Sequence, residues 1–141
     1  MTIQITEMSI DHISKALELW KHIEGMGLSS ADEPEALSRF LLQNHGLSLI
    51  ATDDGRLVGT CLCGSDGRRG YLYHLAVAPE YRRRNIGSDL VDGVFAALHR
   101  RNIHKCHIMV YGTNETGLKF WQQEGWVRRP EIVLMSKDVQ T

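Results

Sequence analysis

The chain has 141 residues, 43% of them hydrophobic and 23% charged, the make-up of one folded domain over residues 1–141 rather than of a disordered chain. No apolar run approaches the roughly 18 residues of a membrane span, and the start MTIQITEMSI lacks the basic and apolar stretches of a signal peptide, so a cytoplasmic protein is expected. Sixteen basic against seventeen acidic residues give a net charge of −1, which supplies no general attraction to nucleic acid or to a membrane.

The elements follow in chain order. Ile3 and Ile5 alternate with polar residues and predict a short first strand. Ser9 offers an N-cap, and Ile10, Ile13, Leu17, Trp20 and Ile23 fall at helical spacing, so a helix is expected over 10–23, ended by Gly25 and Gly27. Asp32 with Glu35 reads as a capping box for a second helix, with Pro34 in its first turn and an apolar face of Leu37, Phe40 and Leu41. Two apolar runs flank Asp54-Gly55, a strong hairpin signal. Cys61 and Cys63, two apart on a strand, share one face as buried small hydrophobes. With Cys106 the cysteines number three and include no CxxC pair, and neither they nor the seven histidines are spaced as a metal site, so no metal is expected. A turn over 65–70 leads to a strand over 71–77. Ile86, Leu90, Val91, Val94 and Leu98 mark a third helix of about four turns. A strand over 107–111 follows, then a short helix capped by Asn114 and ended by Gly125, then a last strand over 132–136. This order gives a mixed α/β (α+β) domain with a sheet of six or seven strands and four helices.

The stretch LAVAPEYRRRNIGS, residues 75–88, carries the chemistry. A strand ends there, a basic turn follows, and a helix begins at once. The first N–H groups of a helix have no partner within it and lie at the positive end of its dipole. A turn that aims further N–H groups inward makes a cradle for phosphates. Asn85 is one of the few non-glycine residues that tolerate a left-handed turn, and Gly87 lets backbone approach a ligand. Arg82, Arg83 and Arg84 add forked hydrogen bonds and attraction. As a mere solvated turn or a nucleic-acid patch, the run leaves the following Asn-Ile-Gly and helix unexplained.

This stretch resembles motif A of the GNAT superfamily of acetyl-CoA-dependent N-acetyltransferases. Arg82 stands at the motif's first position and Gly87 at its last, while Asn85 replaces a usual Gly. Residues 114–126, NETGLKFWQQEGW, are also similar to the family: Asn, a short helix with an aromatic, then Gly and an aromatic. The small size and the DGRRG turn resemble small bacterial YpeA-like members.

The resemblance implies a mostly antiparallel sheet with a splayed central strand pair, the slot for acetyl-CoA. It implies that Leu75, Ala76 and Val77 pair with pantetheine amides and that the N–H groups of Arg82, Arg83, Arg84, Asn85, Ile86, Gly87 and Ser88 hold the pyrophosphate. Asn114, Phe120 and Trp121 fall to the other side of the cofactor. Met26, Leu28 and Ser29, in the connector after the first helix, and Tyr73 are implied acceptor contacts. In the family an amine attacks the thioester directly, with an oxyanion bonded by a backbone N–H, here Val77's. The usual acid is a Tyr on the last helix. Trp121 stands there, and an indole cannot usefully give up a proton, which leaves Tyr111 or a water. The strand of motif A carries no carboxylate. His74 is either the base or a partly buried histidine with a hydrogen-bond partner, and strand alternation puts it opposite Tyr73. Trp121 is equally readable as core, and Trp20 reads as core more readily than as a substrate platform.

The expected function is transfer of acetyl from acetyl-CoA to a primary amine: a small metabolite, a peptide N-terminus or a lysine. The rival is a CoA-binding regulatory module without turnover. The resemblance also allows a homodimer through a sheet edge.

Overall fold

The computed structural model describes residues 2–139. The chain divides into two compact units, Met1–Met109 and Val110–Thr141.

The first unit holds one sheet in the order β1-β2-β3-β4-β5. β1 (Ile3–Glu7), β2 (Leu49–Asp53), β3 (Arg56–Ser65) and β4 (Gly70–Val77) are antiparallel neighbours. β5 (Cys106–Ile108) runs parallel to β4. The Asp54-Gly55 hairpin forms as its sequence demands, with φ of 48° and 84° at the two turn residues. At the next turn the Asp66 carboxylate accepts the N–H groups of Arg68 and Arg69 at 2.8 and 3.0 Å. Those bonds, the Arg69 N–H foremost, hold the carboxyl below its usual pKa range.

Three helices cover this sheet. A 3-10 turn over Ile10–His12 leads into α1 (Ile13–Lys21), α2 spans Pro34–Gln43, and α3 spans Ile86–Arg100. α1 and α3 lie on opposite faces. Gly59 faces α3, where an added Cβ would meet Leu90 Cδ1 at 3.2 Å, whereas the next side chain, Thr60, accepts a hydrogen bond from Trp20 of α1. Beneath α1 and α2 the core is built on Ile13, Ala16, Trp20, Leu37, Leu41 and Leu62. α3 buries Ile86, Leu90, Val91, Val94, Ala97 and Leu98 on its own side. Cys61 and Cys63 are fully buried free thiols. Burial pushes the Cys61 pKa up, and a hydrogen bond to Cys106 does so for Cys63.

The second unit carries α4 (Glu115–Gln123). Asn114 Oδ1 caps it by accepting the Gly117 N–H at 2.9 Å, and Gly125 ends it with φ of 94°.

The fold class stands, but the sheet has five strands among the described residues rather than six or seven. The strand over 132–136 does not form, and Ile132, Val133, Leu134 and Met135 are exposed. A strand exists only with a ladder partner, and local sequence marks residues that suit a strand without supplying one. The strand expected over 107–111 starts at Cys106 and stops at Ile108 for the same reason. The capping-box reading of Asp32 is also corrected. Glu33 precedes α2 without a side-chain cap bond, and Asp32 closes a separate 3-10 turn, Ser30–Asp32, whose cap is Ser29.

Candidate functional site

Two features of β4 prepare it for a ligand. First, β4 and β5 pair only at Gly70–Cys106, Tyr71–His107 and Leu72–Ile108. From Tyr73 to Val77 the β4 edge away from β3 has no strand partner among the described residues. Leu75, Ala76 and Val77 lie in this stretch, where unpaired backbone groups favour an added extended chain.

Second, β4 is bulged. Leu62 opposes Tyr73 and Thr60 opposes Ala76, so Cys61 faces both His74 and Leu75. His74 takes the left-handed conformation there, with φ of 47°. A bulge disrupts the ladder, and here a side chain takes up the carbonyl: the Thr60 hydroxyl donates to His74 O at 2.8 Å. Thr60 Oγ1 in turn accepts from Trp20 Nε1 at 2.9 Å.

The bulge also changes where His74 points. Tyr73 meets Phe40 of α2 edge-on at 6.0 Å, and the His74 ring lies 4.7 Å from that of Trp20 on α1. Both residues therefore face the α1–α2 side, not opposite faces as simple alternation predicts. Burial raises the Tyr73 phenol above its ordinary pKa, which keeps it neutral. His74 Nε2 lies 2.7 Å from Asp32 Oδ1. The other Asp32 oxygen accepts the Ser29 N–H at 2.9 Å. The structure thus joins His74 and Ser29 through a buried carboxylate. Met26 packs on the α1–α2 core, while Leu28 is exposed.

Beyond β4 the chain makes a 3-10 turn over Pro79–Tyr81, then residues 82–85, then α3. Arg83 and Asn85 are left-handed, at φ of 65° and 61°. The first helical bond of α3 runs from the Asp89 N–H to Asn85 O at 2.9 Å, so Ile86, Gly87 and Ser88 present N–H groups with no partner inside the helix. Arg82, Arg83, Arg84 and Asn85 are exposed. Arg82 Nε donates to Val77 O at 3.4 Å, and Arg84 lies over the Tyr81 ring at 5.3 Å. The Tyr81 hydroxyl donates to Asp53 Oδ2 at 2.6 Å, pinning the turn to the end of β2. That bond is the main cause of a lowered Asp53 pKa and a raised Tyr81 pKa.

In the second unit Trp121 is buried against Phe120 and Trp126, each 5.0 Å away ring to ring. Tyr111 is exposed. Sequence reasoning missed Asp32 and Thr60 as partners of His74. The only local hint was an acidic residue ahead of Pro34, which helix capping explained equally well.

The chain is similar to proteins named acetyltransferases. The chain is 29% identical over 128 residues to an acetyltransferase of Sodalis glossinidius (strain morsitans), covering 90% of this chain and 89% of that one. It is 30% identical over 125 residues to an acetyltransferase of Yersinia pseudotuberculosis, covering 88% and 87%. The fold matches a PaiA N-acetyltransferase from Thermoplasma acidophilum, solved in complex with coenzyme A. The TM-score is 0.76 and the identity 22%, over 87% of this chain and 88% of that one. The acetyltransferase (GNAT) family model matches residues 14–126, from the first helix to the turn after the fourth, and the chain belongs to that family.

Proposed function

We propose that this protein acetylates a primary amine with His74 as the base that accepts the amine's proton. The chain is an acetyl-CoA-dependent acetyltransferase, and its relatives, named acetyltransferases, do not favour a binding module without turnover. The identity of the amine and the roles of single residues are the proposal.

One observation carries it: an unpaired β4 edge leads, through a 3-10 turn and residues 82–84, to a left-handed Asn85 and the free N–H groups of a 15-residue helix. An extended amide arm and a diphosphate fit that donor set. The backbone of Leu75, Ala76 and Val77 holds the arm, and residues 82–88 hold the diphosphate. The family likeness supports reading Asn114, Phe120 and Trp121 as further cofactor contacts and the chain as a single domain. It supports Met26, Leu28, Ser29 and Tyr73 as acceptor contacts.

Acetyl-CoA supplies the thioester carbonyl that the amine attacks, the C–N bond forming as the C–S bond breaks. Holding both reactants together lowers the barrier. The Val77 N–H is offered to the carbonyl oxygen as charge develops on it. His74, half-buried beside Trp20, takes the proton lost by nitrogen, directly or through water. Thiolate leaves readily, since a thiol pKa is only about 8.5, and Tyr111 or water protonates it.

No helix among the described residues is long and apolar enough to cross a membrane. A cytoplasmic location belongs to the same proposal, as does the absence of a nucleic-acid or membrane partner. A homodimer through a sheet edge remains a proposal from the family likeness alone.

The test measures free thiol from acetyl-CoA against a panel of small amines, peptides and lysine side chains. Thiol release with one class of amine, abolished in His74→Gln, is expected. Calorimetric binding of CoA without release from any amine overturns the proposal in favour of the binding module.

A further inference from the structure

We infer that Asp32 is a positioning residue for the transfer, holding His74 with its proton on Nε2 so that Nδ1 is the atom that accepts the proton from the amine. The inference rests on the reading of His74 as the base.

An ionised carboxylate only accepts. At 2.7 Å from Asp32 Oδ1, the His74 Nε2 must therefore be the donor. In the neutral ring the proton then sits on Nε2 and the lone pair on Nδ1. Among the described residues no hydrogen bond reaches Nδ1.

Asp32 is itself fixed. It is 8% exposed, lies in a 3-10 turn, and its second oxygen accepts the Ser29 N–H at 2.9 Å. The imidazole is fixed from three other directions. Its backbone is locked in the bulge, its carbonyl accepts from Thr60, and its ring lies against Trp20. A surface ion pair needs none of this, and side chains of 17% and 9% exposure do not form one.

As the C–N bond forms, nitrogen gives one proton to Nδ1 while Nε2 keeps its own. The resulting imidazolium lies against the Asp32 carboxylate, and the sulfur departs with the electron pair of the C–S bond. The turn that carries Asp32 directly follows Met26, Leu28 and Ser29, so the proposed acceptor loop also sets the state of the base.

The isosteric change Asp32→Asn makes a sharp test. The Ser29 N–H requires an oxygen opposite it, so the new amide group turns its NH2 toward Nε2. An NH2 only donates, which moves the ring proton to Nδ1 and removes the acceptor. A catalytic histidine held in the wrong tautomer loses activity by orders of magnitude.

The experiment has two arms. The first needs no acceptor: long-range proton–nitrogen spectra of the nitrogen-15-labelled protein, with His74 assigned by its loss in His74→Gln and the ring neutral. Wild type is expected to show protonated Nε2 and bare Nδ1, and Asp32→Asn the reverse. Protonated Nδ1 in wild type overturns the inference, and this reading stands even if Asp32→Asn folds poorly. The second arm uses acetyl-CoA and the panel amine that gives most thiol. Asp32→Asn is expected to lower kcat by about 100-fold or more, the scale of a lost general base, with KM for acetyl-CoA unchanged. A loss in His74→Gln but not in Asp32→Asn overturns the inference alone. Full activity in His74→Gln overturns the base reading, and the inference with it.

Discussion

Asn85 shows how one residue can serve both turn and ligand. It precedes α3 at φ of 61°, and its side chain makes no capping bond. Replacing it with Ala therefore forfeits no side-chain hydrogen bond and isolates the backbone conformation. An L-residue other than Asn, Asp or Gly pays roughly 1–2 kcal/mol in that region. Asn85→Ala is expected to lose about 1 kcal/mol in urea denaturation and to weaken CoA binding by calorimetry, while Asn85→Gly keeps both near wild type. Equal stability of the two variants contradicts this account. Trp20→Phe probes the support of His74 in another way. It removes the donor to Thr60 Oγ1, which is wholly buried, and leaves that acceptor unsatisfied. A loss of about 1–3 kcal/mol is expected on denaturation. Asn85 was legible in the sequence because turn conformation is local. The Asp32–His74 link was not, because its partners lie 42 positions apart. Nor did any residue pattern announce the bulge that turns His74 to the same side as Tyr73.

At the level of elements, the turn before α3 depends on a tie to the sheet. The Tyr81 hydroxyl grips Asp53 at the end of β2, with Arg56 and Arg84 against its ring at 5.6 and 5.3 Å. The hydrogen bond lowers the Asp53 pKa in the folded state below an unfolded value of about 3.9. A lowered carboxylate pKa stabilises the fold above the unfolded value. That contribution disappears as pH falls through the folded value. Tyr81→Phe removes the largest cause of the shift. The variant is expected to be less stable than wild type at neutral pH, yet to lose less stability on acidification from about pH 5 to pH 2. Urea denaturation across that range decides, and parallel curves for the two proteins refute the account. Helices and hairpins are legible because their periods and turn residues are neighbours in sequence, although the Asp32 cap of α2 is not borne out. α3, the Asp54-Gly55 hairpin and the Asn114 cap all sit where their residues put them. Strand ends were read poorly, as the missing 132–136 strand and the shortened β5 show, because pairing partners come from far along the chain.

For the whole molecule, cofactor binding is expected to raise stability. The family model runs through both compact units, from residue 14 to 126. A ligand that binds only the folded state stabilises it by about 2.7 kcal/mol at 100 times its Kd. Amides that open only by global unfolding slow by that amount, and amides bonded to the ligand slow further. Hydrogen exchange with and without CoA should therefore show added protection over 75–88, where β4 has its unpaired edge and α3 its free N–H groups. If Asn114, Phe120 and Trp121 take part, residues 114–121 should be protected at the same CoA concentrations. Protection of 75–88 without 114–121 removes the second unit from the cofactor site and leaves the phosphate cradle standing. Absence of added protection over 75–88, in protein whose global stability rises with CoA, places the nucleotide elsewhere and refutes the cradle itself.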